Sequence, residues 1–97
     1  MSVILINPFS VAPENAEHCL AFWDKAAEYM RRQPGFLSTR LHRALSPQAE
    51  HRYVNVAEWA SAEDFQRAVS KPEFLALVAD PEGRCPHAPE LYAVVRE

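Results

Sequence analysis

From Tyr53 to Trp59 the chain alternates with a period of two, so Tyr53, Asn55, Ala57 and Trp59 share one side of an extended strand. Val54, Val56 and Glu58 take the other side. An amide and an indole on one strand face supply a polar handle and a flat wall for an aromatic ligand. Upstream, the Pro34-Gly35 turn opens another strand in which Leu37, Thr39 and Leu41 alternate with Ser38, Arg40 and His42. The turn-rich segment Ser46-Pro47-Gln48-Ala49-Glu50 joins the two strands.

Around this hairpin the remaining elements fall in a definite order. Val3-Ile4-Leu5-Ile6-Asn7 reads as a first strand, with Pro8 at its end or on an edge. Pro13 suits the first turn of a helix, and Glu14 and Glu17 complement the positive end of its dipole. Ala16, Cys19, Leu20, Trp23, Ala27 and Met30 follow the three-and-four spacing of a buried stripe. Arg31, Arg32 and then Pro34-Gly35 close that helix. Ser61 is a natural N-cap with Asp64 in the reach-back position, and the helix from Ala62 to Ser70 buries Phe65, Ala68 and Val69. Pro72 opens a short helical piece, 80–89 is an irregular proline-bearing loop, and Leu91 to Val95 forms a last strand.

The order β-α-β-β-α-β predicts an α+β, ferredoxin-like fold with one antiparallel sheet and both helices on one face. Ile4, Ile6, Val54, Val56 and Val94 have the parity of an apolar outer face, which monomers rarely leave exposed. Two sheets meeting there predict a homodimer closed as an α+β barrel.

The totals narrow the classes. At 97 residues the chain has the length of one domain, 1–97. A net charge of −3 and a pI near 5.8 give no basis for nucleic-acid or anionic-membrane partners. The run Val3–Ile6 is too short to span a bilayer and has no signal-peptide flanks, so a cytoplasmic location is expected. Cys19 and Cys85 lie in no ligand spacing, and in that compartment two reduced thiols are expected.

Polar residues inside apolar strands carry the candidate chemistry. Asn7 has the parity of Val3 and Leu5, and Asn55 that of Trp59. If that shared face turns toward the helices, two amides and an indole surround a cavity between sheet and helices. An Asn both donates and accepts, so it can hold a phenol or carbonyl and steady an oxyanion. The plainer alternatives are amides that satisfy strand ends and a Trp59 that is only core. His42 is the only histidine within a strand and is the candidate proton shuttle, or else a half-exposed residue between Arg40 and Arg43. His18, His51 and His87 form no cluster, so no metal site is expected. With only Gly35 and Gly83 there is no phosphate cradle, hence no nucleotide or flavin cofactor.

Through 34–38, His42 and 54–61, the chain resembles the antibiotic biosynthesis monooxygenase family of the dimeric α+β barrel superfamily. The resemblance implies a cofactor-free oxidation of phenols or anthrones to quinones by O2, through an enolate or phenolate and a peroxide. It implies substrate and oxygen-site roles for Asn55 and Trp59, a second amide in Asn7, and a histidine role for His42. Phe65 stands where some quinone-forming members carry a tyrosine, and 72–80 holds no arginine. A related haem-degrading branch shares Asn7 and Trp59, but its axial histidine has no counterpart in 74–80.

The expected function is therefore a homodimeric, cofactor-independent monooxygenase acting on a small aromatic substrate, with Asn55, Trp59, His42 and Asn7 as site residues. Phe9, Phe22, Phe65 and Phe74 are expected to wall an apolar pocket. The alternatives are a non-catalytic module for a hydrophobic ligand and a haem-binding protein.

Overall fold

A computed structural model describes residues 2–97. Strand β1 (Val3–Phe9) leads through a 3₁₀ turn (Pro13–Asn15) into helix α1 (Ala16–Arg31). Strands β2 (Phe36–Arg43) and β3 (Tyr53–Trp59) follow, then helices α2 (Ala62–Val69) and α3 (Pro72–Leu77) and strand β4 (Glu90–Tyr92). The strands form one antiparallel sheet in the order β2-β3-β1-β4. The first and third strands occupy its centre, as the ferredoxin-like arrangement requires.

The turn that ends α1 is built for glycine. Gly35 has φ +87°, and a Cβ there would run into the Asp64 side chain. Asp64 is itself committed to the start of α2. Its backbone N–H donates to Ser61 Oγ at 3.1 Å, and the Ser61 hydroxyl donates back to the Asp64 carboxylate at 3.0 Å. The end of one helix and the N-cap of the next thus dock on each other.

A bulge between Phe36 and Ser38 changes the expected face of β2. The extra residue lets Phe36 pair with Trp59, and Leu37 is left 54% exposed. Phe36, Thr39 and Leu41 turn inward, where alternation alone had predicted Leu37. β4 is also shorter than the predicted 91–95. Val94 lies beyond it, and the outer face is made by Ile4, Ile6, Val54, Val56 and Tyr92.

Two apolar clusters fill the space between sheet and helices. Trp59 is fully buried and meets Phe36 and Phe65 edge-on, at 5.4 and 5.6 Å between ring centroids. Tyr29, absent from the predicted stripe, is buried and donates its hydroxyl to the Ala68 carbonyl at 2.7 Å. That bond ties α1 to α2. Burial first, and the Glu73 carboxylate second, push its phenol above the ordinary tyrosine range.

The expectation of two reduced thiols is overturned. Cys19 and Cys85 form a disulfide with Cα atoms 5.6 Å apart. The loop after α3 folds back over the start of α1, a long-range closure that a spacing of 66 residues could not signal. A disulfide does not fit the reducing setting from which two reduced thiols were expected. Among the described residues no helix is long and apolar enough to cross a membrane.

Candidate active site

A cavity of about 300 Å³ lies between the inner face of the sheet and the helices, with the loop before β4 at its mouth. Its walls are mostly apolar, and Phe9, Phe22, Phe65 and Phe74 all line it. The polar groups are few and gathered on the central strands.

Asn7 of β1 pairs directly with Asn55 of β3, and both amides line the cavity. Cross-strand partners stand about 5 Å apart at Cβ, close enough for two amides to meet one ligand. Asn55 is only 8% exposed, and its Oδ1 accepts a hydrogen bond of 2.7 Å from the Thr39 hydroxyl. Since a hydroxyl donates only to the amide oxygen, the Asn55 NH2 is the end left for the cavity. Asn7 Oδ1 is buried with no hydrogen-bond partner. An orphaned acceptor of this kind costs about 1–3 kcal/mol and marks a place where a donor is missing. Trp59 forms the adjoining wall.

His42 does not join them. It pairs with Val54 on the outer face of the sheet, and its exposed ring lies 3.2 Å from the Val54 carbonyl. The strand's own alternation separates His42 from Leu41, which is the residue opposite Asn55.

A different histidine lines the cavity. His87 stands at the exposed mouth, its ring stacked on Phe9 (5.0 Å, 30°) and tilted against Phe22 (5.8 Å, 53°). Its Nδ1 is 2.6 Å from the Cys85 carbonyl oxygen. The loop that carries it is held at several points. The Ser10 N–H donates to the Pro86 carbonyl at 3.0 Å, and the Ala88 N–H to that of Pro8 at 3.2 Å. The disulfide fixes Cys85, and the Asp80 carboxylate accepts the N–H groups of Cys85 (2.8 Å) and Arg84 (3.0 Å).

Thr39 and His87 are the site residues that sequence reasoning missed. Thr39 was placed on the correct face but given no role. For His87 the available signal was Cys85 two residues before it, informative only once the disulfide is known. Among the described residues no Lys, Arg, Asp or Glu lines the cavity, and no three His, Cys, Asp or Glu side chains cluster as a metal-ligand set.

The family model for antibiotic biosynthesis monooxygenases matches residues 2–80. The chain belongs to the antibiotic biosynthesis monooxygenase family. It is 34% identical over 92 residues to the deoxynogalonate monooxygenase of Streptomyces nogalater, spanning 95% of this chain and 67% of that relative. A variant of SnoaB, a cofactor-independent oxygenase from the same organism, superimposes with a TM-score of 0.81 at 26% identity, covering 99% of this chain and 95% of that one. A heme-degrader from Mycobacterium tuberculosis, with two hemes in its active site, gives a TM-score of 0.72 at 25% identity, covering 98% and 97%. The antibiotic biosynthesis monooxygenase fold thus accommodates more than one reaction among these relatives.

Proposed function

We propose that the protein is a cofactor-independent monooxygenase that oxidises a neutral, flat, electron-rich aromatic, such as an anthrone, naphthol or quinol, with O2. The observation that carries this reading is the Asn7–Asn55 pair on the floor of an otherwise apolar cavity. The Asn55 NH2, oriented by Thr39, donates to a ring oxygen and stabilises it as charge develops there. The orphaned Asn7 Oδ1 accepts from a neighbouring hydroxyl of the same ligand. Trp59 and the phenylalanines hold the rings flat and exclude water.

A lining without Lys, Arg, Asp or Glu favours a neutral substrate. A carboxylate would lose its hydration and find no Lys or Arg among the lining residues. A volume of about 300 Å³ sits at the lower end of ordinary ligand pockets, suited to a small fused-ring system rather than a tetrapyrrole.

Pairing with a second copy completes this reading. The outer sheet face presents half-buried Ile4, Ile6 and Val54, with Val56 36% and Tyr92 50% exposed. A contiguous apolar strip of this kind is expected to be covered by the same strip of a partner.

The test is oxygen uptake by the metal-free protein with a panel of anthrones, naphthols and quinols. Asn55→Ala should lower kcat/KM by about 10²–10³-fold while shifting the melting temperature by only a few degrees. Equal losses of activity and stability would make Asn55 a structural residue. Tight binding without uptake would favour a ligand-binding module, and a Soret band on haem titration the haem reading.

A further inference from the structure

We infer that His87 is the proton acceptor of this cavity, taking the C–H proton of the aromatic carbon acid and returning it to the oxygenated intermediate. The inference rests on the oxygenase reading above and names the group that reading lacks once His42 is placed outside the cavity.

The tautomer is settled by one contact. A carbonyl oxygen can only accept, so the 2.6 Å approach of His87 Nδ1 to the Cys85 carbonyl means that Nδ1 carries the hydrogen. In the neutral ring Nε2 is then the free lone pair, and it makes no hydrogen bond among the described residues. An imidazole held in this way offers that lone pair as a proton acceptor.

Its position matches the amides. His87 bridges to Phe9, which lies two residues along β1 from Asn7 and on the same face. Diagonal neighbours of this kind are separated by about 7–8 Å, which leaves room for one six-membered ring between the amide pair and the imidazole. A ligand whose ring oxygen rests on Asn7 and Asn55 presents the carbon across the ring to His87. No other titratable side chain lines the cavity among the described residues.

The charges around the ring suit the role. Asp80 of the same loop lies within electrostatic reach of His87, while β1 and α1 touch the ring through Phe9 and Phe22. The Asp80 carboxylate offsets the positive charge that His87 gains with a proton. Exposure at the mouth gives that proton a route to water, and the anchored backbone keeps the ring in place.

The chemistry balances without a further reagent. Nε2 takes one proton from the CH2 carbon, and the C–H electron pair moves into the ring to form the oxyanion held by Asn55. This anion passes one electron to O2, and the resulting carbon radical and superoxide join in a C–O bond. The peroxide takes the proton back from His87. Nε2 then removes the second C–H proton as the O–O bond breaks, and hydroxide leaves with that proton as water. The carbon ends as C=O, with one oxygen atom in the quinone and the other in water.

The deciding experiment is the pH–rate profile of wild type, His87→Gln and His42→Gln with an anthrone that the wild-type protein oxidises, beside naphthol binding and melting temperature. His87→Gln should lower kcat by about 10²–10⁴-fold, abolish the acid limb of the profile, and leave naphthol affinity and melting temperature nearly unchanged. Added imidazole should restore turnover to His87→Gly. An acid limb that persists in His87→Gln, or disappears in His42→Gln instead, would overturn the assignment and leave the oxygenase reading standing. A wild-type protein that binds naphthol but takes up no oxygen across the panel would remove both.

Discussion

The Thr39 hydroxyl donates to Asn55 Oδ1 across 2.7 Å, so the sheet itself decides which end of that amide a ligand meets. Thr39→Val removes the donor with little change of shape. It should lower kcat/KM about tenfold, the equivalent of about 1.4 kcal/mol, and cost about 1–2 kcal/mol of stability through the unsatisfied oxygen. Thr39→Ser keeps the hydroxyl and should keep most of the activity. Steady-state kinetics on the two variants separate orientation from packing.

Asn7 makes the opposite prediction for stability. Its buried Oδ1 has no partner in the empty cavity, so the folded protein carries that cost until a ligand arrives. Asn7→Leu, similar in volume, should raise stability by about 1–2 kcal/mol while weakening naphthol binding at least tenfold. Thermal unfolding with and without ligand would reveal the crossed pattern. A variant that lost both stability and binding would make Asn7 an ordinary structural amide.

The disulfide closes 66 residues of chain. A loop of that length stabilises by about 4 kcal/mol in the chain-entropy account, a large share of what a domain this small possesses. Cys19→Ser combined with Cys85→Ser should therefore lower the melting temperature by on the order of 15 °C. Reduced wild-type protein should melt with the double variant and oxidised wild-type protein well above it. Coincident melting of all three would mean that the bond contributes nothing to folding.

Asp80 ties the same loop to acid stability. The N–H of Cys85 above all, then that of Arg84 and the charges of His18 and His87, outweigh desolvation and hold its carboxyl below its usual 3.8. The folded state therefore prefers the carboxylate. Its stabilising share is complete above the unfolded value and is lost as pH falls through the lower folded value. Asp80→Asn should be less stable than wild type by a constant margin near neutrality, with the gap closing below about pH 4. Denaturant titrations across that range would test it, and a margin that widened in acid would contradict it.

Much of this was legible in the chain, and for identifiable reasons. The β3 face of Tyr53, Asn55, Ala57 and Trp59 came through because a period of two leaves little choice once one face is buried. Ser61 and Asp64 revealed the start of α2 because a side-chain N-cap is local. The bulge at Phe36 was invisible, since one inserted residue reverses the parity on which alternation depends. His42 and His87 could not be ranked from sequence. One is set by its strand partner, and the other by a disulfide and two bridging bonds far away along the chain.

The family match ends at residue 80, yet the histidine at the mouth of the cavity belongs to the segment that follows. The mouth of the cavity is thus furnished by residues beyond the matched range. Sheet and helices form the chamber with its amide floor, and a short stretch fastened at Asp80, Cys85 and Ala88 hangs across the entrance. Its fastenings are backbone bonds and one covalent staple, so the anchors that hold the threshold do not depend on the side chains it presents to the cavity.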